Sequence, residues 1–312
     1  MPIRPFNAIY TAKPDYLEEL CRELNDQPEI IGNLVFSTVK KSDVCFALDA
    51  WLEPKLVSFQ SISEAVRILR QAGKFWFLNP IETIRRSHLI LAELRKLPTL
   101  THTFPIMDAI PPIGCFSLLD QNTLVYSALR WKKPPLGDFQ FIEDKKNPPN
   151  RAYLKLWEAL SLLEVHPKSG ELVIDLGASP GGWSYVCQSL GARVIAIDKA
   201  ELEPRIATLP RIEYRRESAF GLDPKTISEP VDWLLSDVAC YPDRLFELAK
   251  KWIDSGKAKR LIFTIKLQGE TNLAEIQQFQ TIPGARVLHL FHNKHEATFF
   301  YPAPVNLSPD WI

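Results

Sequence analysis

Apolar positions change their spacing partway along the chain. Up to about residue 130 the periods are mixed. Residues 3–11 read as a strand, and Leu17, Leu20, Cys21 and Leu24 recur at helical spacing within residues 14–25. Two apolar runs, 34–39 and 44–48, flank the polar turn Lys40-Lys41-Ser42-Asp43 and predict a β-hairpin within 33–50. Helices are predicted over 63–72 and 80–97, and a strand over 122–129. The Phe75-Trp76-Phe77 cluster reads as core. From residue 151 onward the pattern alternates. A helix over 151–164 precedes short apolar strands at 172–175, 193–197, 232–236 and 261–265, with charged residues only at their ends. Helices at about 183–190, 242–253 and 272–278 separate them, which implies parallel βαβ units. Two final runs, 286–291 and 296–301, predict a β-hairpin closing the sheet.

Between these regimes stand Pro134-Pro135, the charge run Glu143-Asp144-Lys145-Lys146 and Pro148-Pro149. Proline pairs and dense charge mark a connection. The expected organisation is an N-terminal α+β domain over 1–130, a linker over 131–149 and an α/β domain over 150–312. A length of 312 residues suits two domains at about 100–200 residues each.

Composition narrows the function classes. Hydrophobic residues make up 46% and charged residues 24%, which excludes disorder as the main state. Lys+Arg and Asp+Glu both number 37, so a polycation that coats nucleic acid is excluded while a local basic groove is not. No apolar run reaches the ~20 residues of a membrane helix, and the first residues hold no apolar stretch before a cleavage site, so neither a membrane protein nor a secreted one is expected. The five cysteines lack any CxxC pair, which argues against structural zinc or a disulfide framework. Reduced thiols in a cytoplasmic protein are expected.

The most informative stretch is Asp175-Leu176-Gly177-Ala178-Ser179-Pro180-Gly181-Gly182-Trp183, which leaves a strand and enters a helix. Glycines there let the backbone approach a ligand closely, and in open α/β sheets ligands bind at the carboxyl ends of strands. Asp198 ends the next strand, where a carboxylate can accept hydrogen bonds from both ribose hydroxyls. The spacing is neither GxGxxG nor GK[ST], so dinucleotide and ATP readings are poor, and Asp175 would repel a pyrophosphate. A ligand with an ammonium group and a ribose fits better, and S-adenosylmethionine has both.

This loop resembles the DLGxxPGG[WF] loop of the FtsJ-like RNA ribose 2′-O-methyltransferases. Further pieces fall in that family's order. Residues 150–156, Asn-Arg-Ala-Tyr-Leu-Lys-Leu, resemble its S-R-[AS]-x-x-K-L helix. Ser236-Asp237 resembles its strand-end Asp, Phe263–Leu267 its strand-end Lys, and His295-Glu296-Ala297-Thr298 its R-x-E-x-[TY] strand. The likeness covers about residues 148–302.

The resemblance implies a Rossmann-like S-adenosylmethionine methyltransferase fold with a seven-stranded, mostly parallel sheet. It implies transfer of a methyl group to a ribose 2′-hydroxyl of RNA, with a cytidine of large-subunit ribosomal RNA the nearest fit. It assigns Lys155, Asp237, Lys266 and Glu296 to a catalytic Lys-Asp-Lys-Glu tetrad. Lys266 is expected to be the central base, or the group that orients the hydroxyl. Lys155, a second cation, is expected to favour proton loss from Lys266. The loop 175–183, Asp198 and Asp237 are assigned to the methyl donor. Where the family usually has Asp for the adenine amine, this chain has Ser218. The stretch 10–20 resembles the opening of family members that continue into an RNA-binding THUMP domain, and a shorter, THUMP-like module is implied.

Lys145, Lys146 and Arg151 could track RNA phosphates beside the tetrad, and the aromatics Trp131 or Tyr241 could stack on splayed bases. His289, His292 and His295 straddle a strand and a turn, so they are read as surface or substrate-edge residues and no metal is expected. A monomer is expected. The rival readings are a methyltransferase of another substrate class, which would leave the tetrad unexplained, and a non-catalytic RNA-binding protein that retains the fold.

Overall fold

The computed structural model describes residues 3–311. The chain divides into two units, one of residues 1–141 with 308–312 and the other of residues 142–307.

The first unit holds two four-stranded sheets. Strands Glu29–Ile31, Leu34–Ser37, Ala8–Thr11 and Asp49–Trp51 lie in that order, each antiparallel to its neighbour. Strands Lys55–Ser58, Thr123–Ser127, Gly114–Leu118 and Trp76–Leu78 form the other sheet. Helices Ile62–Ala72 and Ile84–Glu93 supply Leu69 and Ile90 to a core that also contains Phe59, Trp76, Phe116 and Leu124. Trp76 is therefore core, as the sequence suggests.

The hairpin expected within 33–50 is absent. Residues 44–48 form no strand: Leu48 donates its N–H to the Thr11 carbonyl at 2.7 Å, but the backbone N–H groups of Cys45 and Phe46 donate to the carboxylate of Glu23 at 2.8–3.0 Å. This buried carboxylate competes for the hydrogen bonds that a strand would have used. Leu34–Ser37 instead pairs with Ala8–Thr11. The expected linker is also shorter than 131–149. Lys132 donates its backbone N–H to Asp49 at 3.0 Å, and a Cβ on Gly137 would stand 2.5 Å from the Leu48 carbonyl oxygen, so residues 131–141 pack into the first unit.

The second unit is an α/β domain. Its elements in chain order are α1 (Tyr153–Leu163), β1 (Leu172–Leu176), α2 (Gly182–Ser189), β2 (Arg193–Asp198), α3 (Pro204–Ala207), β3 (Ile212–Arg216), β4 (Trp233–Ser236), α4 (Pro242–Ser255), β5 (Leu261–Lys266), α5 (Leu273–Gln280), β6 (Arg286–Leu288) and β7 (Glu296–Tyr301). The sheet has seven strands in the order β3-β2-β1-β4-β5-β7-β6. The strands from β3 to β5 run parallel, while β7 is antiparallel to both β5 and β6. The interior strands β1, β4 and β5 are almost wholly buried, which explains their unbroken apolar runs. Strand order turns outward between β1 and β4, so the loops after these strands face one crevice at their carboxyl ends. Among the described residues, no helix is long and apolar enough to cross a membrane.

Candidate active site

Four charged side chains meet at the carboxyl ends of the central strands. Lys155 lies in α1, whose residues are almost all buried, and is itself only 9% exposed. A buried ammonium is stable only with partners, and it has them. Its Nζ donates to Asp237 Oδ1 and Oδ2 at 2.8 and 2.7 Å and lies 3.1 Å from Glu296 Oε1. Asp237 directly follows β4. Lys266, the last residue of β5, stands opposite Glu296, the first of β7, in the antiparallel register. Lys266 Nζ donates to Asp237 Oδ1 at 2.5 Å and to Glu296 Oε2 at 2.6 Å. Two ammonium groups and two carboxylates thus alternate around a closed ring.

The ring sets its own protonation. Burial would raise the Glu296 carboxyl, but the charges of Lys155 and Lys266, with their hydrogen bonds, bring it below its ordinary value. Burial would lower the Lys266 ammonium, but Asp237 and Glu296 outweigh it and leave its pKa raised. Asp237 and Glu296, rather than Lys155, set the direction of the Lys266 shift. Each ammonium touches carboxylates directly and meets the other ammonium only across them.

A second layer holds the ring. Glu158, fully buried on α1, accepts the backbone N–H groups of Phe291 and His292 at 2.7 and 2.8 Å and contacts His292 Nδ1 at 2.8 Å. It fastens the β6–β7 turn to the helix that carries Lys155. Asn293 in that turn donates to Glu296 Oε1 at 3.5 Å and accepts from Thr298 Oγ1 at 3.1 Å. Sequence reasoning missed Glu158, although its place one turn after Lys155 on the same helix face was a signal.

The glycine loop packs against the ring's own segment. Gly177 has φ +78°, and a Cβ on it would lie 2.6 Å from Val238 Cβ, beside Asp237. Gly181 has φ +111°, and its Cβ would meet Ile206 at 2.6 Å. Only glycine suits either place. Ala178 is buried, while Ser179 donates its N–H to Asp198 Oδ2 and its hydroxyl to the Glu201 carbonyl, both at 2.9 Å. Pro180 is half-buried, Gly182 opens α2, and the Trp183 indole N–H donates to the Ala152 carbonyl at 2.9 Å, tying α2 to α1. Asp198 is half-buried at the end of β2, and its Oδ1 accepts the Ala200 N–H at 2.9 Å. Each Asp198 oxygen thus keeps a lone pair for a further donor such as a ribose hydroxyl. Ser218 is half-buried in the loop after β3. A glycine-rich cradle beside a carboxylate at the end of β2 fits a ribose-bearing methyl donor.

Asp175 is 1% exposed, and its Oδ2 accepts the Ser184 hydroxyl at 2.7 Å. Burial raises its carboxyl pKa to about 7, against the lowering effect of Ser184. Near neutrality it therefore carries only part of the negative charge expected beneath the loop. Its folded pKa exceeds its unfolded one, so its favourable contribution is complete below the unfolded value and is lost as pH rises through about 7. Asp175→Asn should consequently raise the melting temperature at pH 8 and change it little near pH 4. Calorimetric melts showing the same difference at both pH values would rule this out.

The candidate RNA-binding residues lie in the same unit. Lys145 and Lys146 are exposed on a turn in which Asp144 accepts backbone N–H groups from Lys146 and Asn147 at 3.1 and 3.0 Å. The Arg151 side chain is 76% exposed and pairs with Glu143 at 2.8 Å. The three histidines diverge, and His292 and His295 stay half-buried. His289 is fully buried against the Lys294 carbonyl, His292 contacts Glu158, and His295 contacts Thr271 Oγ1 at 3.2 Å. The β6–β7 turn folds back onto the domain and so buries His289 there. Among the described residues, no cluster of His, Cys, Asp or Glu could hold a metal ion.

Residues 148–298 match the family model of the FtsJ-like methyltransferases. This part of the chain is similar to that family. The matched span contains the whole ring, the glycine loop, Asp198 and Ser218. Among curated relatives, the ribosomal RNA large subunit methyltransferase M of Halorhodospira halophila is 36% identical over 163 residues, covering 50% of this chain and 47% of its own. The protein of the same name from Marinomonas is 33% identical over 167 residues, covering 48% and 47%. That from Aggregatibacter aphrophilus is 32% identical over 182 residues, covering 53% and 50%. The chain spans about half the length of the curated relatives it matches. Lys145 and Lys146 lie just before the residues that match the family model.

Proposed function

We propose that the FtsJ-like domain transfers a methyl group from S-adenosylmethionine to a ribose 2′-hydroxyl of RNA, with a cytidine of large-subunit ribosomal RNA as the target. The observation that carries this reading is the closed Lys155–Asp237–Lys266–Glu296 ring beside the glycine cradle. When bound, the donor supplies a methyl group on a sulfonium sulfur. A ribose hydroxyl attacks it poorly unless its proton leaves as the carbon–oxygen bond forms. Lys266, once neutral, takes that proton at Nζ, and Lys155 offers a second positive charge to the developing alkoxide. Asp237 and Glu296 orient both amines. Asp198 holds the donor's ribose, the backbone from Gly177 to Gly182 cradles the remainder, and Ser218 faces the adenine.

Lys145, Lys146 and Arg151 bind the RNA backbone, and the N-terminal unit selects the RNA as a THUMP-like module. The protein acts as a cytoplasmic monomer. Two measurements test the reading. Incubation with radiolabelled methyl donor and ribosomal RNA should yield alkali-resistant ribose methylation, and label confined to bases would sink it. Asp198→Ala should weaken S-adenosylmethionine binding roughly ten-fold or more, as the loss of charged hydrogen bonds implies. Unchanged calorimetric affinity would remove Asp198 from the site.

A further inference from the structure

The rim beside the ring carries side chains for which the methyl transfer described above has no use. Tyr241 follows Asp237 through Val238, Ala239 and Cys240, in the connection from β4 to α4. It is 73% exposed, which is unusual for a ring that normally gains by burial. Its backbone is nevertheless fixed. Tyr241 is the residue before α4, Pro242 is buried at the helix start, and the Tyr241 carbonyl accepts the Leu245 N–H at 3.2 Å. The ring is thus presented by a helix terminus and not by a free loop.

Arg244 lies one turn further along α4 and is exposed. Its guanidinium sits 3.8 Å from the ring centroid of Phe220, in the loop after β3 just beyond Ser218. Among the described residues no carboxylate forms an ion pair with it, and the adjacent Asp243 is engaged with Gln278 at 3.1 Å. Burial raises the Cys240 thiol while the charges of Arg244 and Lys266 oppose it, so a rim cation and a ring cation both act on this residue.

An exposed aromatic face and an uncompensated guanidinium at i and i+3 of one helix start match the two features of an unpaired nucleotide, its base and its phosphate. From Asp237 to Tyr241 the backbone spans at most about 14 Å, so a nucleotide next to one at the ring lies within reach. We propose that Tyr241 stacks on the base of an unpaired nucleotide adjoining the target ribose, and that Arg244, held flat by Phe220, meets its phosphate. This rests on the RNA-methylating reading above and deepens it. The substrate is RNA that is single-stranded beside the target, because a paired base offers no free face. The stacking is tolerant of sequence, because every base has a π-face.

The test uses the full chain and a short fluorescent oligocytidine, with affinity read by anisotropy. Tyr241→Ala should weaken binding roughly 5- to 100-fold, and Tyr241→Phe should stay within about two-fold of the parent, since stacking survives. Arg244→Gln should weaken binding and lower the salt slope by about 0.7. Affinity for S-adenosylmethionine should not change in any of the three. Wild-type affinity in Tyr241→Ala, equal losses in Tyr241→Ala and Tyr241→Phe, or no oligocytidine binding by the parent each overturns the proposal. If the parent methylates RNA and Tyr241→Ala keeps its KM, the platform fails and the methylation reading stands. If stacking holds but no RNA is methylated, that reading fails and the platform stands.

Discussion

Lys266→Ala should lower the rate of methyl transfer by roughly 10²- to 10⁴-fold, the range for removing a general base, with donor affinity retained. Lys266 lies at the end of β5 with its Nζ shared between Asp237 and Glu296, whereas the donor's cradle is built on β1 and β2. Lys266→Arg should fail as well, because a guanidinium stays protonated and cannot accept the hydroxyl proton. The pH profile gives an independent check. A base works when neutral, and the two carboxylates raise the Lys266 pKa above its ordinary value, so at neutral pH few molecules are competent. The single-turnover rate should climb about ten-fold per pH unit between pH 7 and 9. A flat profile would assign Lys266 the role of a fixed cation that orients the oxygen, and full activity in either variant would refute its central place.

Glu158→Ala should destabilise the FtsJ-like domain by about 3–5 kcal/mol, at about 1–3 kcal/mol for each buried donor left without its acceptor. Glu158 is fully buried and is the acceptor for two backbone N–H groups as well as the contact of the His292 ring. Its loss leaves these groups dehydrated and unanswered. For a domain of this size the melting temperature should fall on the order of 10 °C. Glu158→Gln keeps one acceptor oxygen and should fall in between. Methyl transfer at low temperature should also drop in Glu158→Ala, because the freed turn carries Asn293 and Glu296. A melt within about 2 °C of the parent would show that water replaces the carboxylate.

The C-terminal architecture was legible because its strands are interior. β1, β4 and β5 are mostly apolar, with their charged residues, Asp175 and Lys266, at or near the carboxyl ends, and each ends in or just before a ring or loop residue. β3 escaped notice because Ile212–Arg216 lies at the sheet edge, mostly half-exposed or exposed, with three charged residues among its five. The first unit was read less well. Its strands Lys55–Ser58 and Trp76–Leu78 are short, and their partners are distant in sequence. The 44–48 run failed as a strand because a glutamate twenty-odd residues earlier in the chain claimed its N–H groups. The ring residues were found through their motif order, whereas Glu158 and Asn293 were not. Periodicity carries no information about which buried acid will hold a turn. The rise in the Lys266 pKa was likewise invisible, since it depends on which charges touch and not on which are present.

The cross-strand placement of Lys266 and Glu296 makes β7 a ruler for the chemistry. Side chains on a strand alternate between faces, so sliding β7 by one residue against β5 would turn Glu296 away and present Ala297 in its place. Such a slip would open the ring and strand two lysines beside a single carboxylate. It would also carry the buried Phe299 and Phe300 each to the opposite face of the sheet, so the apolar packing that pins the register of β7 also keeps the charges of the ring aligned.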